Sequence, residues 1–296
     1  MKTRMRILKG ECKLKLRTHF LPKLTNYEVG EYLKENDVII VPVGTVEMHG
    51  GLPLDCETVI SEAFALKMAE KINGLVLGNL PYFYAGATAS GIGTIQVSVR
   101  TGIDYLYEIA KSLLSKGFKR QIYISFHGPA HMTCSPMVRD FFDDTKVPIL
   151  YLDLCMAMFN NAKNIFKDVN DFHYISFGAY EIMGRLEDVP LSIGEGMDCS
   201  ENVPQTVAFA NRLFGLAYQS GSIGYYFGDP MDHMPTPKVE TPEQRAEYAK
   251  RGVELINQIV DSLDMEDIVK SMRDLENFHH EQVVPKSGAW LPPTKL

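Results

Sequence analysis

No stretch of this 296-residue chain approaches the roughly 18 consecutive apolar residues that a membrane span needs, so the sequence predicts no contact with the bilayer interior. Cysteine is scarce. The five residues, at positions 12, 56, 134, 155 and 199, are odd in number, scattered, and form no Cys-x-x-Cys pair. That usage fits reduced thiols in a cytoplasmic protein and not a disulfide framework. Positive charge is also in deficit: 30 Lys/Arg against 37 Asp/Glu leave a net charge of −7, which argues against a nucleic-acid partner. The small-residue loop Gly86–Gly93 has no Lys-Ser/Thr behind its glycines, and no Gly-x-Gly-x-x-Gly occurs, so a nucleotide site is not expected. No internal repeat and no interdomain linker is visible.

What is present is enough for a sizeable core. Hydrophobic residues make up 45% and charged residues 23%, ordinary values for a globular chain. The length suits one large domain. We expect a single α/β domain over residues 1–278 and a tail over 279–296, which carries the only tryptophan, Trp290. Residues 1–17 hold seven Lys/Arg against Glu11 alone, alternating with Ile7, Leu8, Leu14 and Leu16. Without the apolar centre of a signal peptide, this reads as the start of an amphipathic basic arm reaching to about residue 24.

Strand and helix patterns alternate along the first half. Val38 to Val43 is an apolar, β-branched run ending at Gly44. Thr58 to Ile72 reads as a helix, with Ile60, Phe64, Met68 and Ile72 four residues apart. Leu75–Leu80 is a short strand, Ile103–Lys116 a helix stopped by Gly117, Gln121–Phe126 a strand, Ser135–Asp144 a helix and Val147–Leu152 a strand. Residues 153–235 are less regular, with a helix expected at Val203–Tyr218. A charged helix should run from Pro242 to Asp264, capped by Thr241. Alternation of this kind predicts a three-layer α/β/α fold around a mostly parallel sheet.

The most informative segment is Val38–Thr58, VIIVPVGTVEMHGGLPLDCET. A buried strand there runs into a turn holding Glu47, His49, Asp55 and Glu57, four metal-ligand types within eleven positions. Glu47 and His49, two apart on an extended strand end, point to one side. Glu57 precedes a helix, where its carboxylate can be oriented to bridge two cations; Asp55 competes for that role, and simple capping competes with both. A second strand ends on His127 before Gly128-Pro129, repeating the geometry. His131 suits a supporting or substrate-contacting role better than ligation. Glu181, in GAYEIM, is the best carboxylate of the second half.

These features together resemble the creatininase (creatinine amidohydrolase) family. That family's first motif runs Val-Pro-Val-Gly, Ser-Thr-Glu-x-His-Gly, His-Leu-Pro-Leu, a pair of small residues, then Asp-Thr. This chain reads VPVGTVEMHGGLPLDCET, matching at Val41, Pro42, Val43, Gly44, Glu47, His49, Gly50, Leu52, Pro53, Leu54 and Thr58. Gly93-Thr94-Ile95 echoes the family's Gly-Thr-Ile. GFKRQIYISFHGPA stands for its helix end, strand and Asn-Gly-His-Gly-Gly-Asn, SFGAYEI for His-Ala-Gly-Glu-x-Glu-Thr, and GDPMDHMPTPKVETPE for the last motif. The likeness spans about residues 25 to 265 in the family's order.

The resemblance implies a pair of divalent ions, zinc, manganese or iron. By position, Glu47 and His127 would hold one, His49 the other, Glu57 would bridge them and Glu181 would complete the second. Such a pair acidifies a bound water, giving a metal-bound hydroxide, and polarises a carbonyl. The implied activity is hydrolysis of a small polar, cyclic substrate, with cleavage of an amide or formamide C–N bond. The sequence also departs from the family. The His before Leu-Pro-Leu is missing. Glu57 replaces an Asp, moving the carboxylate by about 1.5 Å. Pro129 stands where creatininase has a ligand Glu. The catalytic His aligns with Ser176, leaving His173, His131 or His233 to carry the proton. This favours, as an alternative, a relative that opens a diketo-inositol ring by C–C hydrolysis. A non-catalytic subunit keeping the fold is the reading of another class. A homo-oligomer, a hexamer by family resemblance, is the only partner implied besides the substrate.

Overall fold

The computed structural model describes residues 16–168, 170–192, 213, 223–228, 233 and 236–295. The expected helix at Val203–Tyr218 and most of the basic arm fall outside the described residues. Four strands, β1 (Val38–Pro42), β2 (Leu75–Val76), β3 (Arg120–Ser125) and β4 (Leu150–Asp153), form one sheet in the order β2-β1-β3-β4. Each described pairing is parallel. Every residue of β1 and β3 is buried; β1 accordingly reads as an unbroken apolar run, while β3 carries Arg120, Gln121 and Ser125 beside its apolar centre.

Alternation of side chains across β1 and β3 builds two cores. Ile40, Ile122 and Ile124 pack with Phe64 and Met68 of a helix we label α2 (Cys56–Ile72), below α6 (Asp171–Ile182) and α7 (Pro242–Ser262). Ile39, Val41 and Tyr123 pack on the opposite face with Leu106 of α3 (Val99–Ser115) and Phe141 of α4 (His131–Thr145). A short α1 (Asn26–Tyr32) closes that second layer through Tyr32. Helix α5 (Leu154–Ile165) and helix α8 (Met265–Phe278) join the first layer. The fold is the expected three-layer α/β/α sandwich. None of its described helices is long and apolar enough to cross a membrane.

Several boundaries differ from the sequence reading for local reasons. Helix α3 starts at Val99, four residues early, because Ser98 caps it by accepting the Thr101 N–H at 3.2 Å. Helix α4 starts at His131, with Pro136 inside it and not at its start. Strand β2 is an edge strand of two residues. Its outer side is covered where the Val76 N–H donates to the His19 carbonyl at 2.8 Å. The stretch expected to be irregular contains α5 and α6. Helix α7 begins as expected, with Thr241 accepting the Gln244 N–H and Pro242 in the first turn.

Helices α6 and α7 meet backbone to backbone. A Cβ on Gly252 would lie 1.9 Å from the Tyr174 carbonyl oxygen, so only glycine fits. Beside this crossing Arg251 donates twice to Asp171, at 2.9 and 2.7 Å. At the amino edge of the sheet, buried Arg120 pairs with Asp37 at 3.3 Å and with Glu276 of α8. The chain leaves β1 toward β2 on one side and returns to β3 on the other. The carboxyl ends of β1 and β3 therefore flank the switch point at which sheets of this kind bind ligands.

Candidate metal centre

Beyond β1 the chain folds back tightly on the start of α2. Gly44 is required there, since a Cβ would lie 2.2 Å from Thr58 Oγ1. The Thr58 hydroxyl donates to the Thr45 carbonyl at 2.7 Å, and the Glu47 N–H donates to the Leu54 carbonyl at 2.9 Å. These bonds hold Glu47 and His49 beside Glu57 in the first turn of α2. All three side chains are buried, as is His127 at the end of β3.

His127 joins the two carboxylates. Its Nδ1 lies 2.6 Å from Glu57 Oε2 and 3.2 Å from Glu47 Oε1. Its Nε2 donates to the Tyr84 carbonyl at 2.9 Å, which fixes the ring and turns Nδ1 to the acids. Burial alone would lower this imidazole, but the charges of Glu47 and Glu57 hold it well above its ordinary value. Burial likewise opposes ionisation of Glu47, and His127 outweighs it, keeping that carboxyl below its usual range. Thr45 donates to Glu57 Oε2 at 2.9 Å.

A second imidazole enters from far along the chain. The rings of His49 and His233 meet edge to face with centroids 5.1 Å apart. Burial pushes both down to about 4, so both are neutral near pH 7. One donor atom each from Glu47, His49, Glu57 and His233 lies within 4.8 Å of the others. Three buried atoms of these residues, Glu47 Oε1, His49 Nδ1 and His233 Nε2, make no hydrogen bond among the described residues. Buried polar atoms are rarely left so, and two carboxylates with neutral imidazoles suit a divalent cation. The residues present fit a metal ion.

Glu47, Glu57, His127 and His233 line a cavity of about 180 Å³. Phe126, Phe172, Tyr225 and Phe227 stand in its walls, with the loop at Tyr84 to Thr88. This is room for one small ring.

Of the residues singled out in the sequence, Glu47, His49, Glu57 and His127 are brought together. Glu181 is not: it is exposed on α6 and lines a separate depression with Lys250 and Glu254. Its neighbour Tyr180 takes the inward direction, and one residue further turns the side chain away. Asp55 is engaged elsewhere, accepting from the Tyr180 hydroxyl at 2.8 Å and from Arg185 at 2.7 Å. His131 sits half-buried in the first turn of α4 with Nδ1 2.9 Å from the Gly128 carbonyl oxygen. His173, half-buried on α6, has its ring edge-on to the cavity residue Phe172 at 5.7 Å. The sequence offers His233 only as a candidate proton carrier. A lone histidine in GDPMDHM gives no spacing signal that would mark it as a ligand.

A family model for creatininase, described as creatinine amidohydrolase, matches residues 22–173. The chain belongs to the creatininase family. Solved structures agree on the fold. Creatinine amidohydrolase (creatininase) superimposes with a TM-score of 0.57 at 16% identity, covering 85% of this chain and 98% of that one. A Bacteroides fragilis protein described as a candidate creatinine amidohydrolase gives 0.54 at 19%, covering 83% and 98%. A creatininase variant of Zn-Zn type gives 0.50 at 16%, covering 85% and 99%. Among curated proteins, a 3-dehydro-scyllo-inosose hydrolase of Thermotoga maritima is 31% identical over 115 residues, 37% of this chain. That match spans 36% of the relative's own length.

Proposed function

We propose that this chain is a metal-dependent hydrolase that opens a small polar ring at a carbonyl carbon. The observation that carries the reading is the cluster of Glu47, His49, Glu57 and His233, the first three buried, with three donor atoms lacking hydrogen-bond partners beside a small cavity. We assign Glu47 and His127 to one ion, and His49 and His233 to a second, with Glu57 shared. His233 then supplies the ligand that Pro129 cannot. Zinc, manganese and iron all suit such a set. When bound, the ions would polarise the substrate carbonyl and make water acidic enough to attack near neutral pH.

The chain's own residues prepare that chemistry. The Tyr84 carbonyl holds His127 in the tautomer whose Nδ1 serves as ligand. Burial keeps His49 and His233 neutral, each with one unprotonated ring nitrogen, so a cation need displace no proton from them. Phe126, Phe172, Tyr225 and Phe227 exclude water and offer flat faces to a ring. His173, in ring contact with the wall residue Phe172 but not itself in the cavity lining, is the histidine we assign to relaying a proton through water to the departing atom.

Two bonds qualify. In a cyclic amide the C–N bond breaks and nitrogen takes the proton. In a cyclic 1,3-diketone the attacked carbonyl carbon parts from its neighbour. The electron pair of that C–C bond passes into the second carbonyl as an enolate, which is then protonated. The Thermotoga maritima relative and the replacement of the acid/base histidine by Ser176 favour the diketone, with a diketo-cyclitol as substrate class. Protein loaded with zinc or manganese would be offered diketo-inositols, cyclic amides and formamides, with ring opening followed by NMR. Opening of a diketo-inositol is the expected result. Turnover of amides alone would move the assignment to C–N cleavage. Protein that binds no metal and turns over none of them would be the non-catalytic subunit.

A further inference from the structure

We propose that Thr88 is a positioning residue that commits Glu47 to bind a cation through one oxygen, Oε1. The inference rests on the metal-site reading above. The small-residue loop has no phosphate-binding signature, yet the structure ties it closely to the metal centre. Thr88 is buried, in the single turn Gly86–Ser90, and its hydroxyl donates in a short hydrogen bond to Glu47 Oε2. The Ala85 carbonyl oxygen, 3.2 Å away, is its other potential acceptor. A hydroxyl has one proton, and an ionised carboxylate is the stronger acceptor. Glu47 Oε2 is thus occupied, while Oε1 makes no hydrogen bond and lies 3.2 Å from His127 Nδ1. The two oxygens of one carboxylate are thereby made chemically unequal.

The loop holds the hydroxyl in place. Gln96 Oε1 accepts the N–H groups of Ala85 and Gly86, at 2.9 and 3.2 Å. Gly86 has φ +78°, a left-handed conformation suited to glycine. Further on, the Ile95 N–H donates to the Val46 carbonyl at 2.9 Å, and the Met48 N–H donates to Thr94 Oγ1 at 3.0 Å. The loop is therefore pinned to both neighbours of Glu47, and Thr88 and Glu47 cannot drift apart independently. Without the hydroxyl, Oε2 is released to coordinate as well. That would take a position which a catalytic metal site keeps for water or substrate.

The test uses the full chain and cobalt(II) alone. Metal affinity is measured by competition with a chelator, and the visible absorption of the bound cobalt reports the number of ligands around it. Thr88→Val, nearly isosteric, should bind cobalt roughly 10- to 100-fold more weakly, with an altered spectrum. Thr88→Ser should match the wild type in both. Metal-free melting curves check that each variant folds, and Thr88→Ala gives the same readout if Thr88→Val does not. Wild-type affinity and spectrum in the valine or alanine variant would overturn the inference and leave the metal centre standing. So would a serine variant as impaired as valine, because the methyl group would then be what matters. A wild-type protein that takes up no cobalt would remove the metal centre itself, and this inference with it.

Discussion

His127 Nδ1 lies 2.6 Å from Glu57 Oε2, although 70 positions separate them in the chain. The contact follows from the sheet order. Strands β1 and β3 are neighbours, α2 is the helix that leaves β1, and the turn after β3 therefore opens onto the first turn of α2. Glu57 is placed between the histidine that ends one strand and Glu47 and His49, which follow the other.

Glu57, and not Asp55, should therefore be the carboxylate that matters for metal. Glu57→Gln is expected to abolish metal uptake. Asp55→Asn should retain it and lose only about 1 kcal/mol through its partly exposed contact with Arg185. Metal analysis with denaturant titration of both variants decides this, and loss of metal from Asp55→Asn would reverse the assignment.

His233 should account for one ion of the pair. Chelator-treated protein reloaded with zinc is expected to hold about two equivalents, and His233→Ala about one. An unchanged stoichiometry in the alanine variant would remove His233 from the ligand set.

Without metal, stability should fall on both sides of neutrality. Unfolded histidine titrates near 6.5, whereas burial sets His49 and His233 at about 4. Between these values the unfolded chain takes up more protons. Stability from the two neutral imidazoles is thus complete above pH 6.5 and is lost as the pH falls toward 4. His127 has the opposite sign. Its raised value gives stability that is complete below pH 6.5 and is lost as the pH rises through the folded value. Urea unfolding of metal-free protein across this range should show the acid loss, and His49→Asn with His233→Asn should flatten it. An acid limb as steep as before in the double variant would contradict the assignment.

Gly252→Ala should cost about 3 kcal/mol or more, because the added methyl must push α7 off the Tyr174 carbonyl. Thermal melting would show it, and a change below about 0.5 kcal/mol would mean that the helices do not touch as described.

The order of the elements from β1 to β4 and most of the proposed centre were legible because they lie in short, strongly patterned segments. The run Val38–Val43 announces a buried strand, and Glu47, His49 and Glu57 follow it within one turn. His127 repeats that pattern on β3. His233 was illegible as a member of the cluster because no periodicity connects it to the first motif; only folding brings its ring to His49. Glu181 misled because a family-like string on α6 says nothing of which face is buried. Tyr180, one residue earlier, takes the inward position and carries its hydroxyl to Asp55. Boundaries shifted where single residues act, as with Ser98 capping α3.

Arg120, with Asp37 and Glu276, fastens the end of the sheet farthest from the chemistry. Rigidity is anchored at one pole while reactivity occupies the other. Turns at the reactive pole can consequently be rewritten by evolution without loosening the foundation, which is how kindred scaffolds come to accept unlike compounds.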